Sequence, residues 1–272
     1  MAKRRLWIIL ALAGALAAAL VAAGCGGDDE TSTGTSGELN LLEPGTLTVG
    51  IDWPYPPFEA GQAPDYGGFD IDVMNAVAAK LDLEPKYIDT PFGTIFADLQ
   101  AGKFDAVAAA TTILPNRKKR VAFSDPYYDA DQSLLVQSGS EIQTVDDITS
   151  SDTVGVQQGT TGQQYAEKNT DATVNQYPEG TDTFPPLNSG QIDAVLQDLP
   201  VNAKATEKFP NLEVVQTIPT GEHYGFPIQK TNTALIEAFN KGLQEIIDDG
   251  TYGELYSKYF KEDPPEAYQP SS

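Results

Sequence analysis

The sequence predicts an α/β fold on three observations. Strand-like apolar runs recur along the body of the chain, amphipathic helical stretches separate them, and 40% of the 272 residues are hydrophobic, enough for substantial cores. Strand then helix, repeated, describes sheets flanked by helices, with ligands usually bound at the carboxyl ends of the strands. The strand-like runs are 46–51, 86–88, 106–110, 154–156, 174–177, 194–196 and 212–217. Between them, Ile71, Met74, Val77 and Leu81 share one helical face, as do Leu235, Ile236, Phe239, Leu243, Ile246 and Ile247. Stripes of this period are core faces. Gly67-Gly68-Phe69-Asp70 opens the first of these helices, and Asp70 is expected to cap it.

Composition removes whole classes of function. Seventeen Lys plus Arg against 39 Asp plus Glu give a formal charge of −22, which argues against nucleic acid as a partner. One Cys and one His leave no material for zinc clusters, disulfide frameworks or Cys/His catalytic pairs. No metal or cofactor is expected.

At the N-terminus Lys3, Arg4 and Arg5 precede an unbroken apolar run, 6–21, and then Ala22-Ala23-Gly24-Cys25. This is an export signal. The only Cys behind Ala-Ala-Gly resembles the lipobox of bacterial lipoproteins, which implies cleavage before Cys25, lipidation of its thiol and an anchor on the outer face of the membrane. An uncleaved transmembrane anchor is the alternative, and either puts the rest outside the cytoplasm. Residues 26–37 (GGDDETSTGTSG) lack large apolar side chains. A flexible segment of that length spans roughly 20 Å, so it reads as a tether.

The chemistry-bearing residues fall in the loops after the strands. Asp52-Trp53-Pro54-Tyr55-Pro56-Pro57-Phe58 follows the first strand, its prolines fixing φ around two aromatics. Then come Gly102-Lys103-Phe104-Asp105-Ala106-Val107, Thr112-Ile113-Leu114-Pro115-Asn116-Arg117 and Phe123-Ser124-Asp125-Pro126-Tyr127-Tyr128. With these motifs in order, the chain from about 45 to 261 resembles the extracellular solute-binding proteins (family 3) of ABC importers for polar amino acids. The resemblance implies a periplasmic-binding-protein-like fold of two lobes, each a mixed sheet flanked by helices, with a two-strand hinge near 134–137 and 217–224. It divides the chain into a signal peptide at 1–24, a tether at 25–44, lobe one at 45–133 plus 224–261, lobe two at 137–217 and a tail at 262–272.

The resemblance also assigns roles. Arg117, six residues before Phe123, matches the family's fork onto the ligand α-carboxylate, and Thr112 helps bind the same group. Tyr55 and Phe92 match the aromatics that sandwich the ligand side chain, and Asp52 stands where its polar end is touched. Gln157-Gln158-Gly159-Thr160-Thr161 matches a strand-to-helix turn whose amides and Thr hydroxyl meet the carboxylate, which points to Gln157 and Thr161. Gly190-Gln191-Ile192-Asp193-Ala194-Val195-Leu196-Gln197-Asp198 ends on the match for the residue binding the α-ammonium, Asp198. Leu114 stands where the family usually has Thr and Ala110-Thr111 where Gly-Met is common, departures that bear on pocket shape.

The physical chemistry agrees. A zwitterion needs a planar cation at one end and an anion at the other; Arg offers two parallel donors to a carboxylate, and a helix N-terminus adds amides and partial positive charge. Against these roles, Arg117-Lys118-Lys119-Arg120 also reads as a solvated basic face, the aromatics as packing, and His223 as a structural histidine. The expected function is a monomeric, non-enzymatic receptor that captures an amino acid by lobe closure and delivers it to a permease. The alternatives are an enzyme on the same scaffold, similar to a cyclohexadienyl or arogenate dehydratase, and a stand-alone sensory binding protein.

Overall fold

The computed structural model describes residues 39–270, so the expected signal peptide, the Cys25 lipidation site and most of the tether lie outside the described residues. Two mixed five-stranded sheets organise the chain. The first is built from β1 (Thr46–Ile51), β4 (Glu84–Asp89), β5 (Ala106–Ala108), β6 (Ala122–Phe123) and β12 (Pro227–Ile228), in the order β4-β1-β5-β12-β6. A small hairpin, β2 (Ala60–Gln62) with β3 (Asp65–Gly67), lies beside it in sequence. β1 is parallel to both its neighbours, and its near-continuous burial is what a central strand covered on both faces requires.

Helices α1 (Phe69–Lys80), α2 (Phe92–Gln100), α3 (Pro115–Lys118), α7 (Thr233–Asp248) and α8 (Thr251–Phe260) belong to this part of the chain. The stripe Ile71, Met74 and Val77 is buried and meets the stripe of α7, where Leu235, Phe239, Leu243, Ile246 and Ile247 are buried in turn. Asn232 caps α7, its side chain accepting from Leu235 N at 3.2 Å. Asp70 is not the cap of α1. Gly68 holds that position, while the Asp70 carboxylate turns into the core and accepts from Ala110 N (2.8 Å) and the Tyr127 hydroxyl (2.7 Å). Those two long-range donors outcompete the local one.

The second sheet runs β11-β7-β10-β8-β9, from β7 (Tyr128–Gln137), β8 (Thr153–Gln157), β9 (Thr173–Tyr177), β10 (Ala194–Asp198) and β11 (Leu212–Tyr224). Its helices are α4 (Thr161–Asn169), α5 (Phe184–Asn188) and α6 (Leu199–Lys208). The crossing strands β7 and β11 pair antiparallel along their length, from Tyr128↔Tyr224 to Gln137↔Leu212. The hinge segments expected at 134–137 and 217–224 lie on these two strands. Leu134–Val136 are fully buried and paired on both sides, to β10 and β11, and the β7–β11 ladder is irregular twice, between Val214 and Gln216, opposite Leu135 and Leu134, and between Ile218 and Glu222. Gln132 and Ser133 likewise pair with Asp198 and Gln197 of the second sheet. Where the strands leave the first sheet, Tyr127 stacks on Phe226 at 4.1 Å and Tyr128 on Tyr224 at 5.4 Å. The C-terminal segment packs back there too, its Tyr268 hydroxyl donating to Asp129 Oδ1 at 2.6 Å.

Candidate functional site

The loops at the carboxyl ends of the strands converge on one cleft between the two sheets. It is lined by Asp52, Tyr55, Phe92, Ala109, Ala110, Thr112, Arg117, Gln157, Thr160, Thr161 and Asp198. All eight residues singled out from the sequence as ligand-binding are among them, five from the first half of the chain and three from the second. Thr160 and the two alanines complete the lining. The cavity they leave is about 10 Å³, room for about one water, so an amino acid enters only when side chains or lobes move.

At one end stands Arg117 on α3. Unlike exposed Lys118, Lys119 and Arg120 it is 7% exposed, so the basic run is not a uniformly solvated face. Its guanidinium donates to Thr112 O (2.9 Å) and to Gly159 O across the cleft (3.1 Å), and it lies 5.2 Å from the Phe92 ring and 5.1 Å from Phe96. Burial lowers its pKa to about 10, which leaves it charged at neutral pH. Facing it is the turn into α4. Thr160 caps that helix, accepting from Gln163 N at 3.1 Å, and Gly162 lets it approach β10, since a Cβ there would sit 2.8 Å from Leu196 O. The close approach brings Thr161 beside Asp198: the Gln132 amide spans both, donating to Thr161 Oγ1 and to Asp198 Oδ1.

Asp198 ends β10. Its carboxylate also accepts from the Tyr55 hydroxyl at 2.6 Å, and burial pushes its pKa up. At the far end Asp52 follows β1, with Oδ1 accepting from Phe92 N (3.0 Å) and Oδ2 from the Gln157 amide (2.6 Å). Burial first, then the neighbouring Glu179 carboxylate, raises Asp52 well above the ordinary carboxylate range. Burial raises Glu179 as well. The two carboxyls touch, and like charges so close resist joint ionisation.

Three contributors are invisible in the sequence. Glu222, on β11, accepts from the Thr112 hydroxyl (3.0 Å) and the Thr161 hydroxyl (2.9 Å) with one oxygen, Oε2. Gln132 reaches the site from β7, and Glu179 from the loop after β9. None belongs to a recognisable motif; each arrives by topology. His223, beside Glu222, faces outward, with Nδ1 2.7 Å from Asp129 Oδ1. Among the described residues, no group of three or more His, Cys, Asp or Glu side chains could hold a metal, and no helix is long and apolar enough to cross a membrane.

Comparison with known proteins gives consistent answers. The sequence pattern of the bacterial extracellular solute-binding proteins, family 3, matches residues 47–262. The chain is 34% identical to the ABC transporter glutamine-binding protein of Bacillus subtilis over 73% of this chain and 74% of that protein. It is 32% identical to the lysine/arginine/ornithine-binding periplasmic protein of Escherichia coli, over 80% and 88%. An ancestral arginine-binding protein solved with arginine superposes with a TM-score of 0.76 at 37% identity, covering 79% of this chain and 98% of the other. An ancestral amino-acid-binding precursor of cyclohexadienyl dehydratase superposes at 0.74, also with 37% identity, over 79% and 95%.

Proposed function

Because the chain belongs to the bacterial extracellular solute-binding proteins, family 3, we propose that it captures a free amino acid outside the cytoplasm and delivers it to the permease of an ABC importer. The observation that carries this reading is the placement of a buried Arg117 and a buried Asp198 on opposite walls of one cleft, with Tyr55 and Phe92 also lining it. A guanidinium fork suits the α-carboxylate, a carboxylate suits the α-ammonium, and aromatic faces suit the side chain. Asp52, an acidic group in the lining, favours a ligand whose side chain is polar or basic. The arginine-, histidine- and lysine-binding relatives support that preference, and the glutamine-binding one shows that neutral polar side chains fit the same scaffold.

The alternative of catalysis rests on the dehydratase precursor among the structural neighbours. That neighbour is itself an amino-acid-binding protein, and the raised carboxyls of this cleft all have structural partners, so binding without turnover is our reading. We place the lobes on the two sheets, meeting along β7 and β11, with the protein acting as a monomer anchored through lipid on Cys25. A mature N-terminus at Cys25 carrying added lipid mass is the expected spectrometric signature. Calorimetry against the twenty amino acids tests the function: saturable binding of a polar or basic amino acid is expected, and no binding of any amino acid would overturn it.

A further inference from the structure

Thr112 and Thr161 come from opposite sheets, yet both hydroxyls point at the same oxygen of Glu222. Each hydroxyl has one proton to give. The cradle assigned to the ligand carboxylate, two hydroxyls beside a buried guanidinium, is thus already satisfied by a carboxylate of the protein. Glu222 is well placed for this. It follows Gly221, whose φ of +65° lies in the left-handed region, at the second of two irregularities in β11, and the neighbouring backbone is tied to the Thr112 loop through Ile113 N to His223 O (2.8 Å). The side chain therefore stands on a crossing strand and grips one residue from each lobe.

We propose that Glu222 is a built-in competitor for the ligand's α-carboxylate, which holds the two walls together through Thr112 and Thr161 and must yield both hydroxyls when an amino acid binds. The inference rests on the proposed function for the identity of the ligand, but the tie between the walls stands without it. Two consequences follow. The protein gives up affinity to displace its own carboxylate, because a ligand gains only the difference between two carboxylates on one cradle. The walls also have a reason to approach one another without ligand, which raises the population of compact molecules in its absence.

The experiment compares wild type with Glu222→Ala and Glu222→Gln, using arginine, lysine, histidine and glutamine as calorimetric probes and agmatine as the probe that lacks a carboxylate. Removing the competitor is expected to tighten the bound amino acids by about tenfold, on the scale of one charge-assisted hydrogen bond. Gln, an uncharged acceptor of the same size, should fall between, and agmatine should show no gain. Small-angle scattering without added ligand should show Glu222→Ala with a larger radius of gyration than wild type, at similar melting temperature. Unchanged or weaker amino-acid binding in Glu222→Ala would overturn the competition, since it would mean that Glu222 is neutral or helps hold the ligand. If no amino acid binds the wild type, the functional reading fails by itself, and scattering still decides the tie: an unchanged radius overturns it.

Discussion

On the first-lobe wall of the cleft the site residues are braced by backbone groups of their own lobe, whereas on the second-lobe wall they are braced mostly by side chains, Gln132 of the same sheet and others across the cleft. Arg117 donates to Thr112 O, Asp52 accepts from Phe92 N, and Ala110 N is fixed by the buried Asp70. Across the cleft, Gln157 donates to Asp52, Asp198 accepts from Tyr55, and Thr161 donates to Glu222 on the crossing strand. The difference teaches an order of events. A wall whose groups are already placed binds at lower entropic cost, so under the proposed function the first lobe would be the receiving half and the second would complete the site as it closes. Arg117 is the centre of the receiving half.

The largest expected effect therefore follows Arg117→Ala, which should weaken amino-acid binding by about 2–5 kcal/mol, the scale for truncating one partner of a buried charged pair. Arg117→Lys should recover only part, because a point charge cannot reproduce the fork. Calorimetry on both variants checks this. A loss within twofold would break the comparison, since the receiving wall would then work without its cation.

A second test goes below the first wall, to Asp70. Burial raises its pKa from the ordinary 3.8 to about 6. The folded state thus holds its proton more tightly than the unfolded chain, and the stabilisation is complete below about pH 4 and lost as pH rises through about 6. A rise of that size corresponds to roughly 2–3 kcal/mol. Wild-type stability should fall by that amount relative to Asp70→Asn as pH rises from 4 through 6, read from urea midpoints across the range. Parallel profiles for the two proteins would show that Asp70 does not titrate there and that the foundation of the first wall carries no buried-charge penalty.

How much of the molecule is legible in its sequence depends on whether the signal is local. The helical stripes of α1 and α7, the central strand β1 and the eight cleft residues all lie in short segments whose residue types and order carry the information. The crossing strand β7 has no strand signature, because YDADQSLLVQ mixes polar and apolar residues to suit two lobes with different surroundings. Asp70 looks like a helix cap because its true partners, Ala110 and Tyr127, are 40 and 57 residues away. Glu222 and Gln132 carry no signal at all. They reach the cleft only because β7 and β11 run past it side by side, a fact of pairing register that no single segment contains.

The smallest effect sharpens the comparison from the other side, since the second wall is not wholly dependent on the first. Its turn into α4 has a local lock: the Thr160 hydroxyl donates to Gln157 O at 2.8 Å and accepts from Gln163 N at 3.1 Å. That lock fixes the backbone between two residues of the site, Gln157 and Thr161, and presents Gly159 O to Arg117. Thr160→Ala removes both bonds and should cost about 1 kcal/mol of stability, the usual loss for an N-cap. Thr160→Ser keeps the hydroxyl and should restore it. If the second wall owes its geometry to this turn, Thr160→Ala also weakens amino-acid binding, by a few-fold at most because the contacts from Asp52 and Tyr55 still position their partners. If binding instead falls as far as in Arg117→Ala, the second wall is as self-reliant as the first, and the proposed order of closure loses its basis.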